Sequence, residues 1–544
     1  MTKKILLMLP ALLLSALCLR AQEQPELQKL EQVIDIISKS YMDTINIRKL
    51  VDETIKILFE RLDPHSVYRS KNEAKDDFLN RPSSYRGIGI DFRMFDDTMT
   101  VTSVTKNSPA EKSGLRPGSK IAFVNGKNFS GNKIKYNDVN DYMTKLYMGE
   151  DSIKLGVIKD RKIKIAAVLP SEIPNISLES FYAINDSCIY VRISHFTFDT
   201  GKEFTEALKS FSKRQRKNLI LDLRDNPGGI LAGCNEVCNH IFDTDIQIAN
   251  MRGNSEMSCK SLFSNGEGLL INSRVCVIIN ELSASASEVL AGTVQDWDRG
   301  IVVGRRSFGK GLVQQLFTLC DSSQIRITVS KIHTPSGRYI QKEYKSGEFN
   351  KYNGELPSRR LRGENTDKNK IPISDSPEIF YSIRSHRKIY PGLGIIPDAF
   401  VAEDTSEVLP QFWQSWYTNK AVDNFILEDI NKNRQKYTKY FGTFQKFADE
   451  FCPTRKQERE IYEYCQKDTS NCQKISRQEF EASISDSEPE SQEKAVLKLL
   501  KARYAYFLFG SNECRKILND GDRDFNEALR LINNYEEYEK MLKY

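Results

Sequence analysis

The sequence predicts a multidomain α/β protein, with a core of short buried strands, a β-rich segment before it and helical regions at both ends. Three features predict this. Asn218-Leu219-Ile220-Leu221-Asp222-Leu223-Arg224, Val275-Cys276-Val277-Ile278-Ile279-Asn280 and Ile301-Val302-Val303-Gly304 are short, nearly continuous apolar runs, as expected of strands covered on both faces of a sheet. Tyr85 to Val104 is rich in strand-forming residues and carries glycines near its start. Before residue 83 and after residue 405, apolar side chains recur at the spacing of amphipathic helices.

In chain order, Lys3-Lys4 precedes an apolar run from Ile5 to Leu17, short for a membrane span and suited to the h-region of a secretory signal. Residues 1–21 therefore read as a signal peptide, and the protein as exported, periplasmic or cell-envelope associated. Cleavage after Cys18 or after Ala21 stays open. An uncleaved anchor and a lipidated Cys18 are lesser readings, the second because Leu17 is bulky for the preceding position. Residues 22–82 read as helical, with Leu27, Leu30, Val33, Ile34, Ile37 and Tyr41 on one stripe and Leu50, Val51, Ile55, Leu58, Phe59 and Leu62 on another. Residues 83–170 form the β-rich segment and 171–405 the core. Within the core, the stretch 342–388 is a polar insertion containing Arg359-Arg360, Arg362 and Lys368 to Lys370, expected to be a solvated loop, with a border of the substrate channel as the other reading and no role assigned. Residues 406–544 are expected to be helical, near 408–450, 490–509 and 524–543. Their aromatic stripe, Tyr437, Tyr440, Phe441, Phe444 and Phe447, reads as internal core, with a dimer surface as the second reading.

The chemistry gathers where the core strands end. Ser283-Ala284-Ser285-Ala286-Ser287-Glu288 follows the second run, and Val289, Leu290 and Val294 continue at helical spacing. Ser285 is thus expected at a strand-to-helix turn, beside helix N-terminal amides able to stabilise an oxyanion. Just past the third run stands Lys310, between Gly309 and Gly311. The first run ends in Asp225-Asn226-Pro227-Gly228-Gly229. In open α/β sheets this carboxyl edge is where ligands bind. A serine nucleophile activated by a neutral lysine fits, with Phe308, Leu312 and Val313 as a partly apolar setting for the amine. Gln314 would orient that amine if the segment turns helically. Taken singly, a Ser-Ala run is usually a packing feature and a glycine-flanked lysine a solvated charge; their joint position at strand ends favours the catalytic reading.

Composition narrows the class further. A formal charge of +6 over 544 residues suggests no nucleic-acid or anionic-membrane role. The histidines, at 65, 195, 240, 333 and 386, show no ligand spacing, and Cys234 with Cys238 reads as a pair of small buried residues. No metal and no cofactor are expected. A disulfide among Cys452, Cys465 and Cys472 stays open.

Several motifs together carry a family resemblance. Asp222-Leu223-Arg224-Asp225-Asn226-Pro227-Gly228-Gly229, the serine cluster with Gln295-Asp296-Trp297-Asp298-Arg299-Gly300, Phe308-Gly309-Lys310-Gly311 and Thr334-Pro335-Ser336-Gly337-Arg338-Tyr339-Ile340-Gln341 occur in the order found in the tail-specific, or carboxyl-terminal processing, serine peptidases. Leu62-Asp63-Pro64-His65-Ser66-Val67-Tyr68 and Gly394-Ile395-Ile396-Pro397-Asp398 resemble that family's flanking segments, so the likeness covers roughly residues 27 to 405. It implies a serine endopeptidase with Ser285 as nucleophile and Lys310 as general base, 25 residues apart as in the family. Gln314 corresponds to the glutamine completing the triad in some members. Ala286 would give one oxyanion amide and Gly228 or Gly229 the other. Asp296 also matches a family position discussed as functional, but eleven residues of helix at about 1.5 Å each put it about 16 Å from Ser285, which favours a structural role.

Upstream, Gly87-Ile88-Gly89-Ile90 and Ser108-Pro109-Ala110-Glu111-Lys112-Ser113-Gly114-Leu115 resemble a PDZ domain, in which Gly87, Ile88, Gly89 and Ile90 would hold a peptide carboxylate while the peptide adds a strand to the sheet. The implied partners are protein or peptide substrates with apolar C-terminal tails. A homodimer through terminal helices and an activator protein stay open. The alternative is a noncatalytic or latent PDZ scaffold presenting tail-bearing proteins to another protease. A generic hydrolase is disfavoured by the absence of a Gly-x-Ser-x-Gly elbow.

Overall fold

The structure, a computed structural model, describes residues 25–75, 84–95, 98–131, 134–159, 162–266, 268–373, 379–405, 409–467, 473–483 and 490–543. The expected signal segment with Cys18 and Ala21, and Cys472, lie outside them. The chain divides into two units, one of Met1–Asp76, Gln314–Thr328 and Tyr344–Phe349, the other of Asp77–Val313, Val329–Glu343 and Asn350–Tyr544.

In the first unit, helices α1 (Pro25–Ser40) and α2 (Ile47–Glu60) form where the apolar spacing predicts them, yet neither buries a residue fully. The Asp63-Pro64-His65-Ser66 turn leads into β1 (Val67–Arg69). Asp63 Oδ1 accepts from the His65 and Ser66 amides at 2.9 and 3.1 Å, and Ser66 Oγ accepts from the Thr328 amide at 3.0 Å. Strand β1 thereby pairs antiparallel with residues 324–326, Val67 lying opposite Arg326.

The second unit opens with the β-rich segment: β2 (Ser84–Gly87), β3 (Ile90–Phe95), β4 (Thr98–Val104), β5 (Lys120–Val124), β6 (Lys127–Asn128), helix α3 (Tyr136–Tyr147), β7 (Ile153–Lys159), β8 (Lys162–Val168) and β9 (Ser171–Pro174). The main sheet runs β3-β4-β5-β7-β8, which leaves β3 an edge strand. Antiparallel β2 and β9 close the segment, Gly87 opposite Ser171. Ile88, Val101, Ile121, Val139 and Met143 fill its core.

The central core contains β10 (Leu178–Asn185), β11 (Cys188–Ile193), α4 (Thr200–Lys209), β12 (Asn218–Asp222), α5 (Leu231–Ile241), β13 (Gln247–Gly253), β14 (Lys260–Phe263), β15 (Arg274–Ile279), α6 (Ala286–Asp296) and β16 (Ile301–Gly304); β17 (Leu312–Thr318) and β18 (Gln324–His333) follow, their stretch Gln314–Thr328 belonging to the first unit. Its sheet runs β10-β11-β12-β15-β16 and ends in β19 (Ala399–Phe400), with every pair after the first parallel. The apolar runs are buried on both faces. Leu219, Leu221, Val275 and Val277 pack under Phe204 of α4, Val237 and Ile241 of α5, and Val289 and Leu290 of α6. Ile220, Cys276, Ile278, Ile301 and Val303 point to the other face and meet residues from the far end of the chain.

The insertion departs from expectation. It is solvated only in part: Arg360, Arg362, Lys368 and Lys370 are exposed, but the stretch forms α7 (Phe349–Asn353) and α8 (Glu355–Leu361), and Tyr352 and Arg359 are buried. Arg359 reads as solvated because its acidic partner, Glu355, lies one turn away and is recognisable as a partner only once the helix forms.

The C-terminal region is helical: α9 (Gln411–Thr418), α10 (Ala421–Lys432), α11 (Arg434–Tyr440), α12 (Phe444–Glu450), α13 (Arg455–Lys467), α14 (Arg477–Ser483), α15 (Glu490–Phe509), α16 (Ser511–Asn519), α17 (Arg523–Asn533) and α18 (Tyr535–Lys543). Trp413, Trp416, Tyr437, Phe441, Phe447 and Tyr504 form an aromatic core, while Tyr440 of the expected stripe is exposed. Phe525, Ala528, Leu531 and Ile532 of α17 and Tyr538 of α18 cover the second face of the central sheet. Cys452 is exposed and Cys465 buried. No described helix is long and apolar enough to cross a membrane.

Candidate active site

Strand β15 delivers the serine cluster to the carboxyl edge of the sheet. Ser283 and Ser287 are fully buried and structurally engaged: Ser283 Oγ donates to the Leu223 carbonyl at 2.8 Å and Ser287 Oγ to the Asn226 carbonyl at 3.0 Å. Ser285, between them, is partly exposed. Its backbone has φ 56° and ψ −115°, a conformation that L-residues rarely adopt, that costs about 1–3 kcal/mol and that persists only where the surroundings impose it. The surroundings do so. The Ala284 amide donates to the Asn226 carbonyl at 3.0 Å, and the Ser285 amide donates to Glu288 Oε2 at 2.8 Å as α6 begins.

Glu288 organises the site. Fully buried, it accepts from the Ser285 and Lys310 amides on Oε2, each at 2.8 Å, and from Ser307 Oγ at 2.5 Å and the Gly309 amide at 2.7 Å on Oε1. The backbones of Ser285 and Lys310 thus sit on either side of one carboxylate oxygen, their nitrogens no farther apart than twice 2.8 Å. Burial raises the Glu288 pKa above the ordinary carboxylate range, against the lowering effect of these four donors. The sequence shows Glu288 only as an early glutamate in a helix. Its place three residues after Ser285 is a capping-box signal, but its partners at 307–310 are set by tertiary structure. Lys310 is partly buried, and Leu312 beyond it is buried.

The Asp225–Gly229 turn lies against the serine. A Cβ at Gly228, where φ is 96°, would fall 2.7 Å from Ser285 Cβ and 2.9 Å from the Ala286 nitrogen. The Gly228 amide is already engaged, donating to Asn226 Oδ1 at 2.9 Å. Among the described residues, the amides of Gly229 and Ala286 have no acceptor. Behind the turn, Asp222 is buried with Arg192, Arg224 and Tyr190; burial acts to raise its pKa, but the two guanidinium charges hold it well below the usual range. Arg224 reaches on to Asp522 and Asp524 at the start of α17.

Two other residues singled out in the sequence are Gln314 and Asp296. Gln314 is in strand β17 rather than in a helical turn, and its side chain donates to the His65 carbonyl. A seven-residue segment such as Leu312–Thr318 is too short for periodicity to separate strand from helix. Asp296, at the far end of α6, is fully buried, pairs with Arg338 at 2.8 Å and accepts from the Ser336 amide at 3.0 Å.

In the β-rich segment, Gly87 ends β2, Ile88 is buried, Gly89 has φ 79° and Ile90 opens β3. The Ile88 and Gly89 carbonyls accept from the Ala110 and Thr105 amides, each at 2.9 Å. The amides of Ile88 and Gly89 have no acceptor among the described residues. Phe92 of edge strand β3 stacks on Tyr136 of α3 with ring centroids 5.1 Å apart.

Residues 187–347 match peptidase family S41, and residues 87–169 match the PDZ domain. The chain is 33% identical over 335 residues to the carboxy-terminal processing protease CtpB of Bacillus subtilis (strain 168), covering 59% of this chain and 67% of that protein. It is 30% identical over 325 residues to a probable CtpA-like serine protease of Staphylococcus aureus (strain MRSA252), covering 59% of this chain and 64% of the relative. Among solved structures it resembles the photosystem II D1 C-terminal processing protease, at 20% identity and a TM-score of 0.36, over 70% of this chain and 87% of that one. The chain belongs to peptidase family S41, among the serine peptidases of the carboxy-terminal processing kind, and carries a PDZ domain.

Proposed function

We propose that this protein is an exported serine endopeptidase that selects protein or peptide substrates by apolar C-terminal tails and cleaves them with Ser285 as nucleophile and Lys310 as general base. The observation that carries this reading is the Glu288 oxygen shared by the Ser285 and Lys310 amides, which ties the two segments together at one sheet edge. In the proposed reaction the neutral Lys310 amine takes the Ser285 hydroxyl proton as Oγ attacks the scissile carbonyl. The amides of Ala286 and Gly229 receive the oxyanion, Gly229 being preferred to Gly228 because the Gly228 amide is engaged. The Lys310 ammonium then protonates the leaving amine; water, deprotonated by the same lysine, attacks the acyl carbonyl, and the lysine returns that proton to Ser285 Oγ as the acyl–oxygen bond breaks. Gln314 would orient the Lys310 amine, as the family resemblance implies, and takes no proton itself.

The tail would add a strand along edge strand β3, its carboxylate on the amides of Ile88 and Gly89. Export rests on the residues 1–21 pattern. To test this reading, the mature protein and Ser285→Ala are incubated with an unfolded protein ending in an apolar tail and with the same protein ending in a charged tail. Products are read by mass spectrometry. The expected outcome is cleavage by the wild type alone, faster for the apolar tail. Equal cleavage by Ser285→Ala would contradict the assignment, and no cleavage would favour the scaffold reading.

A further inference from the structure

The Lys310 loop is held from two sides, and only one of them belongs to the catalytic core. Its N–H side faces Glu288. Its carbonyl side faces α8 of the insertion. Arg359, 1% exposed, donates from Nη1 to the Ser307 carbonyl at 2.7 Å and the Arg306 carbonyl at 3.4 Å, and from Nη2 to the Phe308 carbonyl at 3.0 Å. Its Nε donates to Glu355 Oε1 at 2.7 Å, which fixes the plane of the guanidinium. The Lys342 amide takes the next carbonyl, Gly309, at 3.0 Å.

The loop side chains return the grip. Arg306, 3% exposed, pairs with Glu364 at 2.5 Å and Glu355 at 2.9 Å. Lys342 pairs with Glu355 at 3.2 Å, with its Nζ 4.1 Å from the Phe308 ring centre and 4.2 Å from that of Tyr352. Every backbone carbonyl from 306 to 309 is therefore accounted for, three of them by one side chain. A planar fork with five donors suits this task, and a lysine ammonium cannot reproduce it.

We propose that the insertion is a positioning device for the general base, with Arg359 as the positioning residue that sets the peptide planes of 306–308 and so the direction in which Lys310 leaves the loop. This rests on the serine-lysine reading above. The charged groups around the loop are Arg306, Lys342, Arg359 and Arg362 against Glu288, Glu355 and Glu364. Removing Arg359 takes away one cation and admits water, and both changes favour protonated Lys310.

The test compares wild type, Arg359→Lys and Arg359→Ala. Misplacing the base lowers kcat by about 100-fold in Arg359→Ala while KM changes by less than about 3-fold, since the tail is bound elsewhere. Arg359→Lys, which keeps the charge and the stem, recovers part of that loss. In a Ser285→Ala background, labelling of Lys310 with an amine reagent across pH, read by peptide mass spectrometry, gives its protonation without any cleavage. The Arg359→Ala curve is expected to shift to higher pH. Equal kcat in all three proteins, an unshifted labelling curve, or unfolding of both variants would overturn the proposal. Failure of the serine-lysine reading shows separately, as wild-type inactivity or an active Ser285→Ala.

Discussion

At the scale of single residues, the site depends on two features, a strained serine and a buried carboxylate. Gly228→Ala places a methyl 2.7 Å from Ser285 Cβ at a φ of 96°, so activity should fall by at least about 100-fold while far-UV circular dichroism stays native. Glu288→Gln substitutes an NH2 donor for one oxygen that now accepts from two donors, leaving buried donors facing one another. The expected cost is about 1–3 kcal/mol, read as a lower Tm, with a kcat loss of one to two orders of magnitude. The proposed nucleophile and base stand out in the sequence, because each follows a strand that the sequence marks clearly. Glu288's role was not, since three of its four donors lie about twenty residues on, across a strand. The choice between Gly228 and Gly229 required knowing which amide Asn226 already engages.

At the scale of elements, strands were easier to read than what covers them. The insertion reads as solvated because Arg359, Arg360 and Arg362 stand close together in sequence, whereas one of the three, Arg359, points inward from α8. Helix α13 carries a comparable surprise. Glu458 is fully buried, with neither carboxylate oxygen hydrogen-bonded among the described residues. Burial first, and the Glu493 charge second, raise its pKa to about 7 from an ordinary 4.5. A carboxyl whose folded pKa is raised keeps its proton longer in the folded state. Its contribution is therefore complete below pH 4.5 and is lost as pH rises through about 7. The loss is on the order of 3 kcal/mol, and urea midpoints of the wild type measured across this window should fall more steeply with pH than those of Glu458→Gln.

At the scale of the whole molecule, the central sheet is completed from the far end of the chain. The alternation of Leu219 and Leu221 with Ile220 implied two covered faces, but nothing local named α17 and α18, some 300 residues downstream, as the second cover. Leu531→Ala should cost about 2–5 kcal/mol in denaturant unfolding, as expected for a fully buried leucine that cannot be replaced by collapse. The same helices brace the chemistry, because Asp522 and Asp524 of the α17 start hold Arg224, beside the turn that offers Gly229. The account's central claim is that this scaffold makes Ser285 a nucleophile with Lys310 as its base. The most direct measurement is an acid quench early in the reaction with an apolar-tailed substrate, followed by peptide mapping of wild type, Ser285→Ala and Lys310→Ala. The account predicts an acyl adduct on the Ser285 peptide of the wild type and neither adduct nor product with the two variants; an adduct on another residue, or cleavage by Ser285→Ala at the wild-type rate, would contradict it.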